Sequence, residues 1–236
     1  MTLLLTVIVV ALVFEFINGF HDTANSVAAV VGTKVLTPTH AIALAAVMNL
    51  GGALAGTAVA TTVGQGLVDA HCVTGVTLIC GLLGAILWNL ITWRMGLPSS
   101  SSHALIGGLI GSAVASAGND WNVVIWSAPV AGKPWYAWGG VLYKVIIPMF
   151  SSPILGFVIA FLWMTFLYIV LARFKPATIN TAFRKLQILS AAYLGFSHGS
   201  NDAQKTMGII TLALFSATNA ADLMHLPPWL QFLHTP

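Results

Sequence analysis

Five apolar stretches, each about the 20 residues or more that cross a hydrocarbon core, run through this 236-residue chain at 3–20, 39–63, 72–93, 141–171 and 186–217. In lipid the backbone finds no water, so its N–H and C=O groups must be satisfied within helices or closed barrels. The alternating pattern of barrel strands is absent. The expected fold class is therefore an all-α, polytopic membrane protein. Composition agrees: 58% of residues are hydrophobic and 6% charged, against a charged share of about 25% in soluble domains, and mean hydropathy is +0.90. Nine Lys and Arg against six Asp and Glu give a net charge of +3, too sparse for a nucleic-acid footprint. Cys72 and Cys80 lack any metal-ligand or disulfide spacing and read as buried free thiols. The start, Met1-Thr2-Leu3-Leu4-Leu5, has no basic region of the signal-peptide kind and reads as a mature first segment.

Two of the apolar stretches carry copies of one polar signature: Gly19-Phe20-His21-Asp22-Thr23-Ala24-Asn25 and Gly199-Ser200-Asn201-Asp202-Ala203-Gln204-Lys205. A carboxylate at membrane depth costs about 2.5–3.5 kcal/mol on the insertion scale. Two at matching positions of a repeat point to a substrate or ion pathway, and the apolar runs that continue past both signatures read as broken or unwound helices. The chain divides accordingly into a first membrane repeat (1–171), a basic linker loop (172–185) and the start of a second, incomplete repeat (186–236). Arg173, Lys175, Arg184 and Lys185 place that linker in the cytoplasm by positive-inside bias. Five crossings before Leu186 make the two signature helices antiparallel, and four make them parallel; five is the reading adopted. Pro148 and Pro153 should kink the 141–171 helix or delay its start, and the Trp-rich stretch 118–140 reads as an interfacial surface loop.

Between these lies Pro98-Ser99-Ser100-Ser101-Ser102-His103, read as a Ser-rich helical hairpin or interrupted helix. Proline suits a first helical turn, and serines cap orphan N–H groups. An intramembrane anion site needs donors in quantity, and helix N-termini with hydroxyls supply them; the plainer reading of the same run is capping alone.

Asp22 and Asp202 oppose an anion until its protonation is considered. Phosphate near neutral pH carries O–H groups that a carboxylate accepts, whereas sulfate carries none. The carboxylates also suit a coupling cation, with Asn25 and Asn201 as further oxygen ligands, or a coupled proton; the structural alternative is that each caps a helix break. Lys205 holds the repeat position of Asn25, so a tethered ammonium stands where an amide stands in the first copy. It can neutralise Asp202, contact phosphate or replace a bound cation, which would weaken sodium dependence; the alternative is a lysine snorkelling to water. Glu15 reads as a proton carrier or a structural carboxylate. His21 and His198 are not repeat equivalents, and histidines in such places often only pack. Asn49 and Asn89 read as hydrogen-bonding between helices.

Asn18 to Asn25, Gly96 to His103 and Phe196 to Lys205 together resemble the signatures of the inorganic phosphate transporter (PiT) family, in the family's order and over nearly the whole chain, with the Gln204-Lys205 pair resembling its bacterial low-affinity branch. The resemblance implies secondary uptake of phosphate through inverted repeats around a midplane site. It implies proton-coupled symport, with a neutral metal-phosphate complex as one form of the cargo, and sodium coupling elsewhere in the family. A second Pro-Ser hairpin spaced like the first would begin beyond Pro236, so the chain is expected to be truncated in its second repeat.

The substrate-site expectation is thus Asp22, Asn25, Ser99, Ser100, Ser101, Ser102, His103, Asn201, Asp202 and Lys205, with Asp22, Asn25, Asp202 and Glu15 serving the coupling ion. No resident metal, cofactor or catalytic residue is expected. The expected partners are inorganic phosphate, a proton or sodium, a divalent metal carried with phosphate, and the lipid of a bacterial cytoplasmic membrane; a homo-oligomer is compatible with the sequence. Sulfate or sodium-coupled phosphate permeation is the rival within the family. An anion channel and an intramembrane hydrolase are the rivals of other classes, the latter lacking any nucleophile motif.

Overall fold

The computed structural model describes residues 2–56, 59–60, 66–132 and 134–219, without the side chains at 23, 25 and 217–219. Its α-helices are α1 (Thr2–Gly32), α2 (Pro38–Leu54), α3 (Gly75–Met95), α4 (Ser101–Ser116), α5 (Ile147–Leu171) and α6 (Pro176–Asn219). Local chemistry sets their ends. Thr37 caps α2 by accepting from the His40 N–H, with Pro38 in the first turn. Thr74 and Thr77 form a reciprocal capping box at α3. Gly96, at φ 66°, closes α3 in the left-handed conformation that a residue without Cβ adopts freely. Ser100 then caps α4, so the Ser-rich hairpin expected from sequence is the α3–α4 pair. A π-helical turn, Leu142–Ile146, precedes α5. It lies just ahead of Pro148, where a missing N–H already interrupts the hydrogen-bond ladder.

Thr2–Gly32, Gly75–Met95 and Leu142–Leu171 are long and apolar enough to cross a membrane, and Pro38–Leu54 is a shorter apolar helix. Among the described residues there is no strand, only the antiparallel bridges Val68 to Val124 and Ala128 to Gly139. The second bridge pins the Trp-rich loop, whose Trp121, Trp126, Trp135 and Tyr136 are exposed.

Cross-helix contacts fix the helix directions. Thr33, just past the end of α1, donates to the Gln187 side chain of α6 at 2.7 Å, and Thr206 of α6 reaches back to Glu15 of α1 at 2.5 Å. The two signature helices are therefore antiparallel. Phe20 meets Trp93 edge-on at 5.4 Å, and Leu3 lies against Gly75, so α1 and α3 run parallel. Thr77 to Ser116 at 2.8 Å and Thr92 to Ser99 at 3.1 Å make α3 and α4 an antiparallel hairpin. Between α2 and α6 the contact is backbone on backbone. A Cβ on Gly52 would meet the Phe196 carbonyl, and one on Gly199 the Asn49 carbonyl. Gly195 and Gly199 together give α6 the small-xxx-small face that lets membrane helices approach closely. The main core, with Phe14, Leu78, Leu82, Leu105, Leu109 and Leu212, joins α1, α3, α4 and α6.

Three expectations are corrected. Both signature helices run unbroken, α1 from Thr2 to Gly32 and α6 from Pro176 to Asn219. Side-chain hydroxyls and an ammonium reach the carboxylates, so no backbone N–H has to be freed by unwinding. The basic stretch expected as loop is helical from Pro176, which suits Ala177, Ala182, Arg184 and Lys185. Cys72 and Cys80 are free, as expected, but exposed rather than buried; an apolar exterior facing lipid accepts a thiol as readily as a core does. No residue of α5 is buried, and bulky Phe157, Phe161, Trp163 and Tyr168 face outward, as a lipid-facing helix allows.

Gly199→Leu should destabilise the protein by about 1–3 kcal/mol or more through overpacking at the α2–α6 crossing. Gly156→Ala, where an added Cβ meets nothing within 4 Å, should be neutral. Thermal unfolding in detergent compares them, and equal stabilities would mean that the crossing is not close-packed.

Candidate functional site

The two signatures meet at the first turn of α4. Ser101, 2% exposed, donates to Asp22 Oδ2 at 3.0 Å, while His21 Nδ1 lies 3.0 Å from Asp22 Oδ1. Across from it, Lys205 pairs with Asp202 one helical turn earlier and also donates to Ser102. His198 Nε2 stands 2.9 Å from Asp202 Oδ2, one turn earlier again on α6. The spacing 198, 202, 205 puts all three on one helix face. One ligand atom from each of Asp22, His198 and Asp202 falls within 4.8 Å of the others. Two carboxylates so close repel by about 3 kcal/mol at an effective dielectric of about 20. The Lys205 ammonium and the serine hydroxyls offset that repulsion.

The cluster opens on a cavity of about 650 Å³ lined by Ser26, Ser102, Ser152, His198, Asn201, Asp202 and Lys205, among others. A second cavity of about 500 Å³, more apolar, adjoins Ser102 and Lys205 and carries Lys144, Pro148 and Pro153 from the α5 side. On the other face of α6 a third, of about 500 Å³, holds Glu15, Asn49 and Gly199, and His198 lines it as well as the first. The imidazole is thus a wall between the Glu15 cavity and the carboxylates.

The remaining expected residues are placed unevenly. Glu15 sits apart from the cluster, bonded to Thr206. Asn201 lines the large cavity while its amide donates to the Ser197 carbonyl at 2.7 Å. Ser99 bonds Thr92, Ser100 caps α4, and His103 is exposed and lines the second cavity. Those three lie outside the carboxylate cluster because a helix turn can aim only part of a serine run at one point. The Asn25 side chain lies outside the described residues, as do residues 220–236 of the expected second repeat. Of the two asparagines expected to bond between helices, Asn49 does so with His198 at 2.7 Å. Asn89 is fully buried, and neither of its side-chain polar atoms has a hydrogen-bond partner among the described residues.

Sequence reasoning left out Thr206, Gln204 and Ser26, which are buried, and gave His198 a minor place. Gln204, 3% exposed, accepts from the Val59 N–H at 3.1 Å. Repeat matching could not find Thr206 or Gln204, since each is defined by a partner far away in the sequence.

A model of the Phosphate transporter family matches residues 18–235. The chain belongs to the phosphate transporter family. It is 44% identical, over 98% of its length, to the probable low-affinity inorganic phosphate transporter of Bacillus subtilis (strain 168), and covers 66% of that protein. It is 43% identical over 96% of its length to the protein of the same description from Mycobacterium tuberculosis (strain CDC 1551 / Oshkosh), covering 51% of it. To the low-affinity inorganic phosphate transporter PitB of Escherichia coli (strain K12) it is 34% identical over 95% of its length, covering 48%. This family member therefore spans about half to two thirds of the length of these relatives. They are named as transporters rather than enzymes, and bacterial relatives with apolar helices make it a multi-pass protein of the bacterial inner membrane. A solved structure of a sodium-dependent phosphate transporter shares the fold, with a TM-score of 0.74 at 21% identity over 99% of this chain and 72% of that one.

Asp202→Asn leaves the Lys205 ammonium largely buried without its counter-charge, and should destabilise the protein by about 3–5 kcal/mol, the cost of breaking a buried pair. Asp202→Asn with Lys205→Met removes the orphaned charge and should recover much of that loss. Unfolding of both variants in detergent tests the pairing; a double variant no more stable than the single would contradict it.

Proposed function

We propose that this chain supplies the first repeat, and the facing signature of the second, of a secondary active transporter that takes up inorganic phosphate together with protons. The observation that carries the reading is the convergence of Asp22 and Asp202, from antiparallel helices, with Ser101, Ser102 and Lys205, of which Ser102, Asp202 and Lys205 line one open cavity. Phosphate is a donor and an acceptor at once. Its P–O–H groups donate to Asp22 and Asp202, while its bare oxygens accept from the hydroxyls of Ser101 and Ser102 and from Lys205. Sulfate would present only acceptors to the carboxylates. Asn201 adds an amide group on the same cavity.

Lys205 gives the coupling reading its direction. Its ammonium already compensates Asp202, the place a sodium ion would otherwise take. A proton then remains the natural coupled cation, and Glu15, hydrogen-bonded to Thr206 behind His198, is a carboxylate able to carry it. Antiparallel signature helices are the geometry of an inverted repeat, in which one half rocks against the other around a fixed site.

Uptake of labelled phosphate into vesicles holding the protein, with pH gradient, sodium and magnesium varied separately and sulfate as competitor, tests the proposal. Removing one charged partner, in Asp22→Asn or Asp202→Asn, should lower uptake by about 10–100-fold, the equivalent of about 1.5–3 kcal/mol of charge-assisted hydrogen bonding. Lys205→Asn should raise the dependence on sodium. Uptake unchanged in both aspartate variants, or driven by sodium alone in the unaltered protein, would overturn it.

A further inference from the structure

We infer that the end of the α1–α6 pair carrying Lys34, Arg184 and Lys185 is a docking surface for an anionic phospholipid of the surrounding bilayer. The inference is independent of what the transporter carries. It begins with where charge falls in the fold. Lys34 lies just past α1, Arg184 and Lys185 lie in the third turn of α6, and Arg173 and Lys175 precede that helix. All five are exposed. The described acidic residues lie elsewhere. Glu15, Asp22 and Asp202 sit along the signature helices, and Asp69 and Asp120 belong to the opposite end, where Ser216 of α6 bonds Val73 and Ser116 of α4 bonds Thr77. One end of the protein therefore gathers five cations and, among the described residues, no carboxylate. Positive-inside bias puts that end on the cytoplasmic face.

Three of the five are drawn together by the helix crossing. Thr33 bonds Gln187 at 2.7 Å, and Arg184 Nη2 donates to the Lys34 carbonyl at 3.4 Å, so the end of α1 and the third turn of α6 lie side by side. That bond occupies one of five guanidinium N–H donors. The others remain for a phosphodiester, whose two free oxygens match the planar fork of an arginine.

Beside these cations α6 presents an apolar strip. Leu186, Leu189 and Tyr193 recur at the spacing of one helix face and are 52%, 67% and 69% exposed. The strip begins one residue after Lys185 and runs toward the signature at Asp202. A cationic head with an apolar strip below it is the complement of a phospholipid, whose headgroup phosphate meets the first and whose acyl chain covers the second. Free inorganic phosphate offers nothing to the strip, so the lipid is the occupant. Because α6 runs unbroken from this foot past Lys205, a lipid held there bears on the helix that carries the second signature.

Native mass spectrometry of the intact protein in detergent, with phosphatidylglycerol or phosphatidylcholine of the same acyl chains added, tests the surface. Each basic residue at a membrane surface contributes about fivefold in affinity for anionic lipid. Phosphatidylglycerol should therefore bind at least about tenfold more tightly than phosphatidylcholine. Lys34→Gln with Lys185→Gln should weaken phosphatidylglycerol binding about 25-fold and leave phosphatidylcholine binding unchanged. That double variant keeps Arg184 and the backbone carbonyl it bonds, so the helix crossing is preserved; adding Arg184→Gln should extend the loss to about 100-fold. Millimolar inorganic phosphate should not displace the lipid. Equal affinity for the two lipids in the unaltered protein, an unchanged preference in the folded double variant, or displacement by inorganic phosphate would overturn the site.

Discussion

Two carboxylates within 4.8 Å of each other, on helices that belong in lipid, are tolerable only if positive charge and hydrogen-bond donors arrive from elsewhere in the fold. Three elements bring them. Lys205 comes from one turn along α6, Ser101 and Ser102 from the start of α4, and His21 from beside Asp22 itself. This requirement orders the arrangement of the helices. The α3–α4 hairpin has to deliver its N-terminal turn to the middle of the molecule, and α1 has to cross α6 in the antiparallel sense that lays one signature against the other.

Packing serves the same end. Glycines at 52 and 199 let α2 and α6 meet backbone to backbone. At that crossing Asn49 reaches His198 and fixes its ring. Gly81 and Gly108 make a similarly close approach between α3 and α4, which holds the serine turn at its height. The bond between Glu15 and Thr206 ties α1 to α6 below the carboxylates. By contrast α5 buries nothing, and its entry turn contributes chiefly as a wall of the cavity beside Lys205.

The helical class, the hairpin and the acidic pair were legible in the sequence, because apolar length, Gly96 with its capping serines, and a repeated Asp each act through local chemistry. The antiparallel sense of α1 and α6 was legible only through counting crossings. Unbroken signature helices were not legible. A buried Asp can be satisfied by freed backbone or by side chains from another helix, and the sequence around Asp22 is compatible with both; the contact with Ser101 decides between them. His198 was undervalued for a related reason. Its neighbours in sequence say nothing of Asn49, the side chain that bonds its ring. Within the serine run, which members reach Asp22 and Asp202 depends on where α4 starts its first turn, a matter of one residue that composition cannot supply.

The central claim is that Asp22 of α1 and the first turn of α4 touch. Disulfide formation between cysteines at these positions tests it most directly, in Asp22→Cys/Ser101→Cys with Cys72 and Cys80 replaced by alanine. The Asp22 carboxylate and the Ser101 hydroxyl are 3.0 Å apart, and cysteines there bridge only if local helix motion brings their Cα atoms to about 4.4–6.8 Å, which helices packed at this level allow and helices apart do not. Rapid oxidation to an intramolecular bond is the predicted result. Thiols that stay free under oxidant would contradict it.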